Sequence, residues 1–411
     1  MMYGLTSLDE ATSKELFLPK DSSGREVNIF KIKDCLLTGK SLFYPNIAIY
    51  ATSEDKIFNP IRERVMSLQK DTTTTEVVFN RDKKIQYQEN YPVFFFCYNV
   101  DNYFHFIYDT LPYLITYRHL KLRHPNLKLL MNFSSAEKNV FYKFVLEFLD
   151  LLGITQQDIL IADENTLYET IYVSSSYTHD IDSNLPPREE VYSFLQNIAK
   201  KAATEMDSSK MPENIYVSRR TWVHNDLSNI GTNYTTRRKM INEDELVKVL
   251  AKRGYTEVFT ENLSTVEKLC LFYKAKNIIG PIGGGLCNVL FSTKECNLTA
   301  IVSPHFLDIN KRFIYSFCGV NTNLCYETEH QEKGDLKLYM RVKAGNKTGE
   351  IVKIEEDNIT ISYAEIPVAG WNSSALYKNI VVKAHDCMKL DEGLNSCFKV
   401  HMDGFLKTIS K

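Results

Sequence analysis

Between about residues 90 and 320, short apolar runs alternate with segments whose apolar residues recur at helical spacing. The run YPVFFFCY at residues 91–98 predicts a buried strand, a helix is expected over about 102–120, and LKLLMNF at 127–133 predicts the next strand. Strand–helix units of this length favour a parallel sheet with helices on both faces. The sequence therefore predicts an α/β fold.

The alternation is interrupted by a polar stretch, MDSSKMP at residues 206–212, which is typical of an interdomain linker. We therefore predict an N-terminal α/β domain over residues 1–206 and a Rossmann-like domain over residues 213–320, with a cleft between them. Residues 321–411 are predicted to form an appended β-rich element that closes with a helix or a strand at 402–409.

Capping residues and glycines predict where helices begin and end. Ser134 or Ser135 is expected to cap a helix whose apolar residues recur from Val140 to Leu152, and Gly153 is expected to end it.

The same reasoning applies to the second domain and the appended element. Asn242 is expected to cap a helix that ends at Gly254, and Ser264 is expected to cap the next helix. Turns are predicted at Gly345 and Gly349.

Composition excludes several classes of protein. Lys and Arg total 49 against 51 Asp and Glu, so the net charge of −2 provides no field to attract nucleic acid or anionic lipid. Nine cysteines are scattered without a C-x-x-C pair, which favours reduced thiols over a zinc site or disulfide framework. No apolar run approaches ~18 residues and residues 1–20 lack a signal-peptide pattern, so we expect a cytoplasmic protein without a transmembrane segment.

A glycine-rich turn, GPIGGGLCN at residues 280–288, lies between a predicted strand and a predicted helix, where backbone amides favour a phosphate. It does not match a dinucleotide fingerprint, because Asn288 stands where a third glycine is needed and no acidic residue ends the strand at 298–303. The alternative interpretation is a tight turn that needs glycine only for packing between helix and sheet.

Four arginines lie near strand ends or loops of the second domain: Arg219, Arg220, Arg237 and Arg238. Ligands of open α/β sheets bind beyond the carboxyl ends of the strands, where Arg219 and Arg220 fall. Guanidinium groups bind diphosphate oxygens bidentately, so these residues are candidate ligands of a diphosphate. The alternative is a set of solvated surface arginines.

His105 and Asp109 are four residues apart on one face of the helix that follows the strand at 91–98. An imidazole or a carboxylate here can deprotonate an acceptor hydroxyl, so both are candidate catalytic bases. The alternative is a hydrogen-bonded core histidine beside an exposed helix charge.

A third pattern, HDID at residues 179–182, has the D-x-D form that binds a divalent metal in some sugar-nucleotide enzymes. A pattern this short occurs often by chance. We therefore keep a metal-dependent transferase using Asp180 and Asp182 only as an alternative.

In order and spacing, four segments resemble glycosyltransferase family 61: NYFHFIYDTLPYL (102–114), IYVSRR (215–220), RRKMINEDELVKVL (237–250) and TVEKLCLFYKAKNIIGPIGGGLCNVLFS (265–292). The resemblance covers roughly residues 90–320. It implies a GT-B fold of two facing Rossmann-like domains, and transfer of a sugar from a nucleotide donor with inversion and without a metal.

The resemblance also implies roles for individual residues. The N-terminal domain would bind the acceptor and supply His105 or Asp109 as the base, and the C-terminal domain would bind the donor. The resemblance assigns donor binding to Arg219, Arg238, Glu243, Gly283, Gly284, Gly285, Leu286 and Asn288, and Arg220 is added to these candidates by its place at the strand end.

Two departures from the family pattern matter. The family's turn is His-Gly-Ala-Gly-Leu, whereas residues 282–286 are IGGGL, so the histidine is missing. Many eukaryotic relatives carry a membrane anchor that this sequence lacks, which indicates a bacterial or virus-encoded enzyme.

These observations predict an inverting, metal-independent hexosyl- or pentosyltransferase that needs no cofactor besides its donor, a UDP-sugar, and acts on a glycan or glycoprotein. Two other functions stay open. One is a catalytically degenerate nucleotide- or carbohydrate-binding protein, and the other is a nicotinamide-dependent oxidoreductase.

Overall fold

The computed structural model describes residues 12–38, 47–61, 63–67, 86–88, 91–135, 138–178, 185–207, 210–220, 238–304, 306, 312–330, 336, 340–364, 377–390 and 397–409. The chain divides into two compact units, residues 1–194 and 195–411. Both combine strands with helices, so the predicted α/β class is confirmed. Within the described ranges, no helix is both long enough and apolar enough to cross a lipid bilayer.

The first unit is built on a mixed sheet. Its described strands are β1 Thr12–Leu18, β2 Val27–Thr38, β3 Ala48–Ala51, β4 Lys56–Asn59, β5 Arg64–Ser67, β6 Gln86–Gln88, β7 Val93–Phe95, β8 Lys128–Met131, β9 Ile159–Ile161 and β10 Thr166–Ser174. They are ordered β5-β4-β3-β2-β10-β7-β8-β9, and β1 and β6 pair with β2 and β10. The pairs β10–β7, β7–β8 and β8–β9 are parallel, as predicted, but β1 to β5 form an antiparallel half that sequence patterns did not predict.

The helical segment that follows β7 is not a uniform α-helix. It comprises α1 Tyr103–His105, a π-helical turn Phe106–Thr110, a 3₁₀ turn Leu111–Tyr113 and α2 Leu114–Arg123. Because Pro112 has no amide hydrogen to donate, it removes one α-helical hydrogen bond at this point. The helix predicted over 102–120 is therefore present, and its geometry changes at the residues that carry His105 and Asp109.

The next two helices are α3 Lys143–Leu151 and α4 Glu189–Glu205. The predicted cap at Ser134 or Ser135 is wrong, because Ser135 pairs with Val140 in a β-bridge whose two N···O distances are 3.1 and 3.3 Å. Val140 is accordingly 42% exposed instead of packing inside a helix. The predicted stop at Gly153 is confirmed, since Gly153 has a φ of +73°.

The second unit contains a sheet in which every pair of described strands is parallel. Its strands are β11 Asn214–Val217, β12 Thr256–Val258, β13 Asn277–Pro281, β14 Asn297–Ile301 and β15 Asn321–Cys325. The order β12-β11-β13-β14-β15 is a doubly wound arrangement whose strand order reverses between β11 and β13. Ligands of such sheets bind at the carboxyl ends of the strands beside this switch point.

Two helices flank the described strands of this sheet, α5 Glu243–Ala251 and α6 Thr265–Lys274. Ser264 forms the predicted cap, accepting from the amide of Glu267, and Gly254 ends α5 with a φ of +82°. Asn242 precedes α5 but does not cap it with its side chain. Its side chain instead bonds to the backbone of Val400, at 2.8 and 2.9 Å.

A row of asparagines joins the amino ends of four parallel strands. The amide of Asn277 donates to Asn214 at 2.8 Å, that of Asn297 donates to Asn277 at 3.2 Å, and that of Asn321 donates to Asn297 at 3.4 Å. These four residues lie opposite one another in the strand register. The ladder fixes that register and so aligns the carboxyl ends of the strands.

The appended element is β-rich, as predicted. Its described elements are β16 Thr328–His330, β17 Arg341–Ala344, β18 Lys347–Glu355, β19 Asn358–Ala364, β20 Tyr377–Lys383, β21 Cys387–Lys389, β22 Phe398–Val400 and α8 Met402–Ile409. A short helix, α7 Arg312–Tyr315, precedes it, and Asn321–Cys325, the first residues predicted for it, form β15 of the parallel sheet instead. An antiparallel sheet runs in the order β20-β19-β18-β17-β21, hereafter the appended sheet.

The closing segment is a helix, and it does not pack on the appended sheet. Phe405 of α8 is buried in the cluster that contains Tyr216, Leu246 and Ile301 of the parallel-sheet core. Gly345 forms the predicted turn with a φ of +57°, but the turn predicted at Gly349 is wrong. Gly349 lies inside β18, where a Cβ would come within 2.2 Å of the carbonyl oxygen of a neighbouring strand.

Candidate functional site

A buried carboxylate fixes the chain where β11 ends. Glu243 is 1% exposed, and its Oε1 accepts hydrogen bonds from Tyr216 Oη at 2.9 Å, Ser218 Oγ at 3.1 Å and the amide of Arg219 at 2.8 Å. Burial raises the pKa of Glu243, and the three hydrogen bonds together with the Arg219 charge oppose that shift. The result is a rigid start for the loop that carries Arg219.

Arg219 reaches from β11 to the glycine-rich turn after β13. Its Nη1 donates to the carbonyl oxygen of Ile282 at 3.1 Å, and a Cβ added to Gly283 would lie 2.9 Å from the same nitrogen. Burial lowers the pKa of Arg219, and the carboxylates of Glu243 and Glu350 are among the groups that oppose this. A guanidinium group is thus fixed at the switch point of the parallel sheet.

The three glycines of the turn meet different surroundings. Gly283 makes room for Arg219, and a Cβ on Gly285 would lie 2.7 Å from Thr260 Oγ1, whereas a Cβ on Gly284 would meet nothing within 4 Å. None of the three has a positive φ. Two of the glycines are therefore needed for close approach of side chains, not for an unusual backbone conformation.

Buried side chains that follow the turn in sequence stabilise its shape. Asn288 is completely buried and its Nδ2 donates to the carbonyl oxygen of Gly285 at 2.8 Å, and Leu286 is 1% exposed. Ile282 occupies the position of the histidine that the family pattern would place here. Its side chain is 3% exposed and it meets Arg219 through its backbone carbonyl.

Arg238 lies at the same edge of the sheet. Its guanidinium carbon is 4.0 Å from the ring centroid of Phe306, a residue that follows the carboxyl end of β14. Arg238 is 9% exposed and has a φ of +53°, a conformation that costs energy in any residue except glycine. Arg237 lies outside the described residues.

Arg220 points elsewhere. Its Nε and Nη2 both lie 2.6 Å from the carboxylate of Glu257 on β12, and its Nη1 lies 2.6 Å from Asp244. These carboxylates raise the pKa of Arg220. The structure therefore brings together Arg219, Glu243 and the glycine-rich turn, with Arg220 bound to two acidic residues instead of to the turn.

In the first unit, His105 and Asp109 are in direct contact. Nδ1 of His105 lies 2.6 Å from Oδ2 of Asp109, with side-chain exposures of 15% and 8%. Asp109 lies in the π-helical turn that follows His105, a geometry frequent at functional sites. Asp109 is buried, so the alternative of an exposed helix charge is wrong.

Sequence reasoning missed two acidic residues of this region, Asp101 beside His105 and Glu63 beside Tyr113. Burial raises the pKa of Asp101, and the nearby His105 opposes that rise. Burial raises the pKa of Tyr113, and the charges of Glu63 and Asp109 add to that rise. Asp101 directly precedes Asn102, the helix cap whose side chain accepts from the His105 amide at 3.1 Å. This position beside the helix cap is the sequence feature from which Asp101 could have been identified.

The candidate metal motif at residues 179–182 lies outside the described residues, and its role stays a prediction. Across the ranges that the structure does describe, no group of three His, Cys, Asp or Glu side chains is arranged to hold a metal ion.

The geometry of the turn yields a matched pair of variants. Gly283→Ala is expected to push aside the Arg219 guanidinium and to raise about tenfold the Kd for UDP, the ligand predicted from the sequence, without lowering the melting temperature, because a flexible side-chain end can move. Gly284→Ala should leave both quantities unchanged, because its Cβ would enter open space. Isothermal titration and thermal unfolding measure the two effects, and equal UDP affinities would contradict the expectation.

One segment of the chain matches a known protein family. Residues 103–299 match the family model described as Glycosyltransferase 61. That segment includes the His105–Asp109 pair, Arg219, Glu243 and the glycine-rich turn. No curated protein is significantly similar to the chain. Residues 103–299 therefore resemble glycosyltransferase family 61, whose general activity is glycosyl transfer.

Proposed function

We propose that the protein is an inverting glycosyltransferase that moves a sugar from a nucleoside-diphosphate donor to a hydroxyl group of a glycan or glycoprotein. The observation that carries this proposal is the placement of the Arg219 guanidinium against Gly283. That position is the switch point of a doubly wound parallel sheet, where phosphorylated ligands bind.

The second unit would hold the donor. As the glycosidic bond breaks, negative charge develops on the diphosphate, and the guanidinium groups of Arg219 and Arg238 stabilise it. A charge-assisted hydrogen bond of this kind contributes roughly 1.5–3 kcal/mol. Fixed donors aimed at a developing charge lower the barrier because they need no reorganisation during the reaction.

The first unit would supply the base. Asp109 holds Nδ1 of His105, which fixes the ring so that Nε2 accepts the proton of the acceptor hydroxyl. The acceptor oxygen then bonds to the anomeric carbon from the face opposite the diphosphate, and the bond between that carbon and the diphosphate oxygen breaks. Inversion follows from this single displacement.

Such a displacement requires the acceptor and the donor to meet on one axis. The GT-B arrangement that the resemblance implies provides this, and it stays a prediction together with a UDP-sugar as the donor. Two cationic side chains at the diphosphate are also our reason for proposing that the reaction needs no metal ion.

Transfer, stereochemistry and metal dependence can be tested together. The protein is incubated with α-linked UDP-hexoses and UDP-pentoses and a set of glycan acceptors, with and without EDTA, and the product's anomeric configuration is read by NMR. A β-linked product formed in EDTA is expected. A product of retained configuration would contradict the mechanism, and loss of activity in EDTA would favour the metal-dependent alternative.

A second candidate function is a nucleotide-binding protein without turnover. The specific observation in its favour is Ile282, whose buried side chain stands where the family's turn has histidine. Binding of UDP without release from any UDP-sugar, even with acceptors present, would favour this candidate over the transferase.

A further inference from the structure

A buried ion pair connects the donor side of the parallel sheet to the appended sheet. Lys239 directly follows Arg238, and its ammonium donates a hydrogen bond to Oε2 of Glu350 on β18. The side chains of Lys239 and Glu350 are 0% and 3% exposed. Burying two charges costs free energy, and a buried ion pair often adds no net stability to the fold. We therefore consider which residues this contact holds in place.

The backbone of the segment around Lys239 is bonded to β22. Its carbonyl oxygen accepts from the amide of Phe398 at 2.9 Å, and the Phe398 carbonyl accepts from Ile241 at 2.8 Å. Asn242 exchanges two hydrogen bonds with Val400. Residues 239–242, hereafter the clamped segment, are therefore held by backbone hydrogen bonds to β22 and by the ion pair with Glu350.

Both ends of this clamped segment enter the candidate donor site. Arg238 lies at its start, on the ring of Phe306, and Glu243 follows its end and holds the amide of Arg219. Arg238 keeps a positive φ, a conformation that persists only where the surroundings impose it. Any movement of the clamped segment would shift both arginines.

We propose that the appended sheet is a positioning element of the donor site, and that Lys239 and Glu350 are the positioning residues that act through Arg238. This inference rests on the proposed function only for the identity of the ligand, a nucleoside diphosphate. Glu350 lies outside residues 103–299, the segment that matches the family model.

The test separates position from stability and from charge. Lys239→Met/Glu350→Met removes both charges, keeps the net charge, and replaces the pair by apolar side chains, an exchange that is often neutral or stabilising for folding. We expect an unchanged or higher melting temperature and UDP binding about tenfold weaker by isothermal titration. The matched control is Lys353→Met/Glu355→Met, which removes an exposed ion pair from the same strand and should change neither quantity.

A double-mutant cycle shows whether the pair acts through Arg238. In an Arg238→Ala background the Lys239→Met/Glu350→Met exchange should weaken UDP binding less than in the wild type, because the group that the pair positions most directly is gone. Equal weakening in both backgrounds, or wild-type affinity in the exchange variant alone, would overturn the inference.

A second variant covers the case in which the exchange does not fold. Glu350→Gln keeps the shape of the side chain but leaves one more positive charge near the site, so charge alone predicts tighter UDP binding and lost positioning predicts weaker binding. Weaker binding supports the inference and tighter binding overturns it. Wild-type protein that binds no UDP would instead contradict the predicted UDP-sugar donor, which keeps the two failures distinct.

Discussion

Replacing His105 by alanine is expected to lower the rate of sugar transfer about 10²- to 10⁴-fold while UDP affinity stays at the wild-type value. The imidazole is the proposed base, so its loss removes proton transfer from the acceptor hydroxyl and leaves the diphosphate site intact. Transfer of radiolabelled sugar under saturating donor measures the first quantity, and isothermal titration with UDP measures the second.

Asp109→Asn tests how the histidine is held. The carboxylate fixes Nδ1 of His105 at 2.6 Å, whereas an amide can present its NH₂ group to that nitrogen and stabilise the tautomer that lacks a basic Nε2. We expect a loss of transfer approaching that of His105→Ala. The control is His119→Ala, which removes a histidine of α2 that contacts Phe17 instead of Asp109. Wild-type transfer in both the His105 and Asp109 variants would show that the base lies elsewhere.

Arg219→Ala is expected to lower kcat/KM for the donor about 10²- to 10³-fold and to weaken UDP binding. Glu243 accepts a hydrogen bond from the backbone amide of Arg219, and the carbonyl oxygen of Ile282 accepts one from Nη1. The guanidinium group therefore meets the diphosphate in a preformed position. Arg219→Lys should recover only part of the loss, because an ammonium group cannot replace a planar fork of donors.

Arg220→Ala is the matched control, since the two arginines are adjacent but their partners differ. Arg220 bonds to Glu257 and Asp244, so its loss should lower thermal stability and leave UDP affinity unchanged. Equal losses of UDP affinity in the two variants would contradict the distinction that the geometry draws between them.

Periodicity predicted strands β11 to β14 of the second unit well because they pair in parallel with strands of similar pattern. Buried strands there appear as continuous apolar runs, and Arg219 and Gly283 follow two of them directly. The switch point between β11 and β13 then places these two residues together. Local pattern was sufficient for this part of the candidate site.

Other features depend on contacts that local pattern does not contain. β2 pairs with β10 more than 130 residues away, so the way in which the antiparallel half joins the parallel half of the first sheet is not contained in local pattern. Ser135 forms a β-bridge with Val140 instead of capping a helix. The ion pair of Lys239 with Glu350 joins residues 111 positions apart and could be found only in the folded chain.

The measurement that tests the central claim most directly is the release of free nucleoside diphosphate from a panel of nucleotide sugars, with wild-type protein beside Arg219→Ala. We expect slow release from one donor by the wild type, faster release when an acceptor is added, and neither in the variant. Release that is equal in the two proteins would contradict the placement of the diphosphate at Arg219, and no release from any donor with or without acceptors would contradict the transferase itself.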